Sequence, residues 1–315
     1  MGDEERIVFT DLEQPGLEIF TVDLSLLDCR VTLPLVKARA RLETRLAQRE
    51  LNRRLKLVAY CLLVCVGLTW LGSFMVSAMV RSVAARVPAK WDTEFGAVVI
   101  KQLGAKKIFL DDSNAVARLT ALATPLLQVL PPSPNGYQFH IVEEEDPNAF
   151  ALPGGHVVVN SGLLQMTERP EEVLAVIAHE VAHVTERHLY RKQISTAGPL
   201  MVCRIFLSGR VGALGALGGG TALVVGAGFS QEYETEADDI GWKYLVAANI
   251  DPRGMADTFR KMKAQPGAQP ADFMPAAFSS HPALDKRIRR LEAKWVKLSR
   301  KEGFVVLDPA PILKP

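Results

Sequence analysis

Cysteine is scarce in this sequence: four in 315 residues, at Cys29, Cys61, Cys65 and Cys203. Two of them lie inside an apolar run and one precedes it, so only Cys203 remains in the bulk of the chain and no disulfide framework is implied. None has zinc-ligand spacing, and all four read as small apolar residues. An excess of one charge is missing too. The net charge of +2 leaves no electrostatic footprint for nucleic acid, and neither a zinc-finger nor a recognition-helix pattern stands out, so no nucleic-acid partner is expected. What remains is ordinary globular composition, 48% hydrophobic and 23% charged, with length for one sizeable domain and appendages.

One segment departs from that composition. Leu57 to Val80 are 24 consecutive uncharged, mostly apolar residues. As a helix they extend about 36 Å, enough to cross a hydrocarbon core of about 30 Å. A buried core helix is the other reading, and few soluble helices run this long without a charge. A cleavable signal would be shorter and nearer the N-terminus. Residues 37–56 carry eight basic residues and residues 81–100 carry three, so the positive-inside rule keeps the N-terminal side in the cytoplasm and sends the rest across. Arg41, Arg45, Arg49 and Arg53 recur every four residues and form one helical stripe, suited to anionic headgroups or simply to solvent. Further upstream, Arg6–Phe9, Leu17–Val22 and Cys29–Leu35 read as short strands.

The chemistry sits further along. Pro170–Tyr190 reads as a helix, with proline and two glutamates in its first turn and an apolar face from Val173 to Val181. Within it stands His179-Glu180-Val181-Ala182-His183. Residues four apart share a helix face, so the two histidines can offer imidazole nitrogens to one metal ion. Glu180 falls beside that ion, where a carboxylate takes a proton from water. By chance this pattern occurs in roughly one chain in a hundred of this length. Two surface histidines are the bland alternative, which an apolar helix suits poorly. A second helical pattern, Glu232–Ala247, holds Glu234 and Asp238 on one face. Glu234 can complete a His₂Glu site, and Asp238 can accept from the far nitrogen of a ligand histidine. Ala237 and Gly241 are small enough for this helix to approach the first closely. Alone, Glu-x-x-Ala-Asp is a weak signal.

These motifs resemble the zinc metallopeptidases of peptidase family M forty-eight, whose members include the HtpX, BepA and CAAX prenyl protease groups. The likeness covers about residues 85–295 and rests on four stretches in the family's order: Asn148–Gly155 with His156–Leu164, His179–His183, Glu234–Asp238, and Ser280-His281-Pro282 followed by Arg287-Ile288. It implies a gluzincin fold, one zinc ion per chain held by His179, His183 and Glu234, and endopeptidase activity on polypeptides. The fold class expected is α+β and mainly helical, with a short active-site sheet preceded by one transmembrane helix. HtpX-like members span the membrane between the two motif helices. Here that interval holds Val211–Ser230, with seven glycines. One crossing would separate Glu234 from the histidines. Two need about 40 apolar residues and a turn, so the stretch reads as a buried or membrane-skimming hairpin.

The organisation expected is a cytoplasmic region 1–54, a transmembrane helix 55–81, a peptidase domain 82–303 outside the cytoplasm of a plasma or inner membrane, and a loosely packed tail 304–315. The strand His156–Asn160 can pair with an extended substrate backbone, which suits unfolded or misfolded proteins and a role in quality control. The substrate-binding residues expected are Asn148, Ala149, Gly155, His156, Val157 and Val158; an ordinary core strand is compatible with the same residues. His281 is the second catalytic candidate, as an oxyanion donor or a resting-state zinc ligand, or else a structural histidine. His140, His156 and His188 read as structural or surface residues. A silent membrane scaffold keeping the fold is the second class of function, against which the intact Glu180 argues.

Overall fold

The computed structural model describes residues 7–10, 18–23, 25, 33–105, 107–110, 112–197, 228–264, 284–308 and 312–313. The chain divides into two compact units, Met1–Val76 and Ser77–Pro315.

In the first unit, β1 (Ile7–Thr10) and β2 (Glu18–Thr21) pair antiparallel, Ile7 opposite Thr21 and Thr10 opposite Glu18. A long helix follows, α1 (Leu33–Ala85), 53 residues that run on into the second unit. The third expected strand, Cys29–Leu35, is not there as such. Helix begins at Leu33, with Pro34 in the first turn where its missing N–H costs nothing, and Cys29–Thr32 lie outside the described residues. The basic stripe and the apolar run are one continuous helix, because neither glycine nor proline interrupts Leu35–Val66. Within it, Thr44–Ala85 is long and apolar enough to cross a membrane, and among the described residues no other helix is.

The second unit is mainly helical around a small sheet. Helix α2 (Ala89–Gly104) buries Trp91, Phe95, Val99 and Leu103, a four-residue stripe. Helix α3 (Ser113–Leu127) starts where the Asp112 carboxylate accepts from the backbone N–H of Asn114 and Ala115. Then come β3 (Gln138–Val142), β4 (Ala149–Leu152), β5 (His156–Asn160) and the short α4 (Ser161–Met166). The strand order is β3-β5-β4, with β5 parallel to β3 and antiparallel to β4. Strand β5 is therefore the centre of the sheet. Both of its backbone edges are paired among the described residues, so the backbone of Val157 and Val158 already has partners within the sheet. Both faces are covered as well: Val157 and Val159 face the core of α3 and the later helices, and Val158 joins Phe95, Val99 and Leu152 on the other side. A strand buried on two faces reads as a continuous valine run. Gly155 is held closely by the backbone around it. It lies in the β4–β5 turn at φ 93°, and a Cβ there would meet Gly136 O at 2.1 Å.

Helices α5 (Pro170–Thr185), α6 (His188–Ala197), α7 (Gln231–Ala247), α8 (Arg253–Ala264) and α9 (Leu284–Lys297) complete the unit. Helix α5 is buried from Glu172 to His183 because α7, α8 and β4 all pack on it. The single helix expected over Pro170–Tyr190 is two, since Arg187 takes a left-handed backbone, φ 55°, and turns the chain before His188. The C-terminal segment is docked rather than loose. Val305 N–H donates to Asn249 O, Ile312 is buried in the main core, and the Arg118 guanidinium donates to Ile312 O.

Candidate metal centre

The centre forms where α5 and α7 touch. Gly241 of α7 lies against the α5 backbone, and a Cβ there would stand 3.1 Å from His179 N and 3.2 Å from Ala178 C. That close approach brings Glu234, the fourth residue of α7 after the Ser230 cap, level with His179 and His183 on α5. His179 Nε2 lies 3.1 Å from His183 Nε2 and 3.4 Å from Glu234 Oε2, and His183 Nε2 lies 3.5 Å from Glu234 Oε1. One ligand atom from each of the three falls within 4.8 Å of the others. His179, Glu180, His183 and Glu234 are 3, 5, 4 and 1% exposed, so apolar helix surrounds the cluster.

The polar atoms around it are arranged with a definite sense. His179 Nδ1 meets Asp238 Oδ1 at 3.1 Å, as the four-residue offset from Glu234 requires. Arg287 of α9 reaches in from the far side, Nη1 to Glu234 Oε2 at 2.7 Å and Nη2 to Asp238 Oδ1 at 2.6 Å. Burial opposes the charge on Asp238 most strongly, but Arg287 and His179 together outweigh it and hold the carboxyl at about 2. Burial and Arg287 also oppose protonation of His179, yet hydrogen bonds to Asp238 and Glu234 raise it to about 9. Two imidazole nitrogens and a carboxylate, dry and mutually within bonding reach of one ion, are the donor set of a divalent metal with an open position. Glu180 stays out of that set, and its charge helps keep Arg287 protonated.

The sequence expectations fare unevenly at the other positions. Asn148 and Ala149 lie at the start of β4, which among the described residues pairs with β5 alone and packs beside α5. His140 and His156 face each other across β3 and β5, Nε2 to Nδ1 at 3.1 Å, away from the cluster. His281 and most of the glycine-rich Val211–Ser230 stretch lie outside the described residues. The end of that stretch stands beside the site: Phe229 stacks on the His183 ring at 4.2 Å. Of the two readings expected for His188, structural and surface, its position fits the structural one. It is fully buried, with Nδ1 2.9 Å from His183 Nδ1. Its place could not be read from spacing, because it depends on the break at Arg187. Arg287 was visible only as part of a motif, without a task.

Residues 115–295 match the model of Peptidase family M48, and the chain belongs to this family of metalloproteases. Among its relatives is the mitochondrial metalloendopeptidase OMA1 of Schizosaccharomyces pombe, 34% identical over 164 residues, 51% of this chain and 47% of that protein. The beta-barrel assembly-enhancing protease of Yersinia pestis is 28% identical over 219 residues, 66% of this chain and 44% of its own. The metalloprotease LoiP of Escherichia coli is 32% identical over 186 residues, 57% and 70% of the two chains. The chain spans about half the length of the first two.

Proposed function

We propose that the protein is a membrane-anchored, zinc-dependent endopeptidase acting on unfolded or misfolded polypeptides, those of a cell envelope included. The convergence of His179 Nε2, His183 Nε2 and Glu234 within 4.8 Å carries this reading. These three residues hold the zinc ion, which when bound polarises the scissile carbonyl and acidifies water. Glu180, one residue along the helix from His179, takes the proton of the attacking water and returns it to the leaving amine. Asp238 fixes His179 with its proton on Nδ1, leaving Nε2 as the ligand. The surrounding apolar helix keeps water scarce and these charges strongly felt.

An extended substrate segment lies along β4, at Asn148 and Ala149, rather than along the paired β5. Backbone pairing of this kind asks for a locally unfolded chain and little of its side chains. The relatives named for beta-barrel assembly support an envelope setting, and the apolar helix with its basic flank supports a single span with the peptidase domain outside the cytoplasm.

Two measurements test this together. Elemental analysis of protein purified without chelators should find about one zinc per chain. Glu180→Gln should keep that zinc and cleave casein about 10²–10⁴-fold more slowly, because an amide is no base. A zinc-free protein, or a Glu180→Gln form as active as the parent, overturns the assignment.

A further inference from the structure

His188 lies five residues beyond His183, on the far side of the helix break. Arg187 makes the turn, with its N–H bonded to Val184 O at 3.0 Å and its guanidinium beside the Asp92 carboxylate. The result is a file of four groups. His183 Nδ1 meets His188 Nδ1 at 2.9 Å, His188 Nε2 meets Glu236 Oε2 at 3.2 Å, and Arg191 Nη1 meets the same oxygen at 2.7 Å. Arg81 lies 3.3 Å from the other Glu236 oxygen. Stacking holds the rings in place: Tyr233 lies on His188 at 4.7 Å, nearly parallel, and Phe229 lies on His183.

A His188 that carries one proton has a single arrangement consistent with these hydrogen bonds. A carboxylate between two arginines is ionised and only accepts, so the proton on His188 belongs to Nε2. Its Nδ1 is then bare. Two nitrogens 2.9 Å apart share one proton, so His183 Nδ1 must carry it. That leaves the lone pair of His183 on Nε2, the atom that meets His179 Nε2 and Glu234.

From this file of contacts, resting on the assignment of His183 as a zinc ligand, we infer that His188, set by Glu236, is a positioning residue that fixes the tautomer and ring of His183 for metal binding. The two ligand histidines are thus oriented by different devices: His179 by a carboxylate directly, His183 by a carboxylate through a second imidazole. Relaying through a ring keeps Glu236 at the arginine side of the site and leaves the pocket with fewer charges to bury.

The test is zinc affinity of the full chain in detergent, by chelator competition, with thermal unfolding to follow the fold. His188→Phe fills the space without an acceptor and should bind zinc about 10–100-fold more weakly. His188→Asn, whose side-chain oxygen falls near the lost Nδ1, should recover most of that loss. Nitrogen NMR of the metal-free protein should find the His183 proton on Nδ1, and on both nitrogens in exchange in His188→Phe. Parental affinity in His188→Phe overturns the inference, as does an equal loss in both variants, which would mark ring volume as the cause. If His188→Phe does not fold, Glu236→Ala replaces it, with about tenfold weaker binding expected and unchanged binding overturning the inference. His183→Ala separates the two levels. If it keeps the metal, the zinc assignment itself fails; if it loses the metal while His188→Phe keeps it, only the relay does.

Discussion

Arg287 Nη1 stands 2.7 Å from Glu234 Oε2, so the buried carboxylate at the metal centre has an internal partner supplied by another helix. The same guanidinium holds Asp238 and lies over the Phe259 ring at 4.2 Å. Removing it leaves two buried acids that share only the His179 imidazole. Arg287→Ala should cost about 3–5 kcal/mol of stability, the penalty for breaking a buried ion pair. Urea unfolding of the metal-free protein measures it; a cost under about 1 kcal/mol would show that solvent or other groups replace the arginine.

Gly241 sets the distance between α5 and α7. With His179 N and Met255 Cε each 3.1 Å from the position of a Cβ, Gly241→Ala asks neighbours to give by a few tenths of an ångström. Gly241→Leu cannot be accommodated that way and should push Glu234 off the histidines. The expected outcome is about 1–3 kcal/mol of overpacking cost for the alanine and loss of tight zinc binding for the leucine. Zinc binding by the leucine variant at parental affinity would remove the helix approach from the account.

His140 makes acid destabilising. Burial, with His156 alongside, lowers it from 6.5 to about 4. The folded protein thus holds this histidine neutral where the unfolded chain protonates it. Its contribution is complete above pH 6.5 and is lost as pH falls towards 4. Unfolding midpoints across that window should fall in the parent and fall less in His140→Gln. Identical pH profiles would mean that the pair titrates as it does in the unfolded chain.

Topology gives the fourth prediction. The eight-to-three basic asymmetry around the apolar segment predicts a C-terminus outside the cytoplasm. A reporter active only outside the cytoplasm, fused after Pro315, should be active. An inactive reporter, with cysteine labelling that puts residue 170 outside, would part Glu234 from the histidines.

The metal centre was the most legible part of the sequence. Its two histidines are four residues apart on an apolar helix, and Glu234 and Asp238 repeat that spacing on the second, so local periodicity carries the geometry. Strand β5 stayed open to two readings because a run of valines fits an exposed edge and a doubly covered centre equally; the pairing of β3 and β4 shows it at the centre of the sheet. The break after Thr185 has no glycine or proline to announce it, since Arg187 adopts a conformation that few side chains take. Without that break, spacing alone does not bring His188 to His183. Arg287 and Glu236 act across contacts far apart in the chain, on which no periodicity bears.

The backbone leaves the site at α6 and is next described at Gly228, and the two points are tied: Lys192 Nζ donates to Gly228 O at 2.6 Å, and His188 lies beside Phe229. The entry to α7 is thereby clasped to α6, with the Lys192 ammonium 5.6 Å from the Phe229 ring. The ring stacked on His183 is thus anchored from outside the metal site, so its position does not depend on the metal ligands themselves.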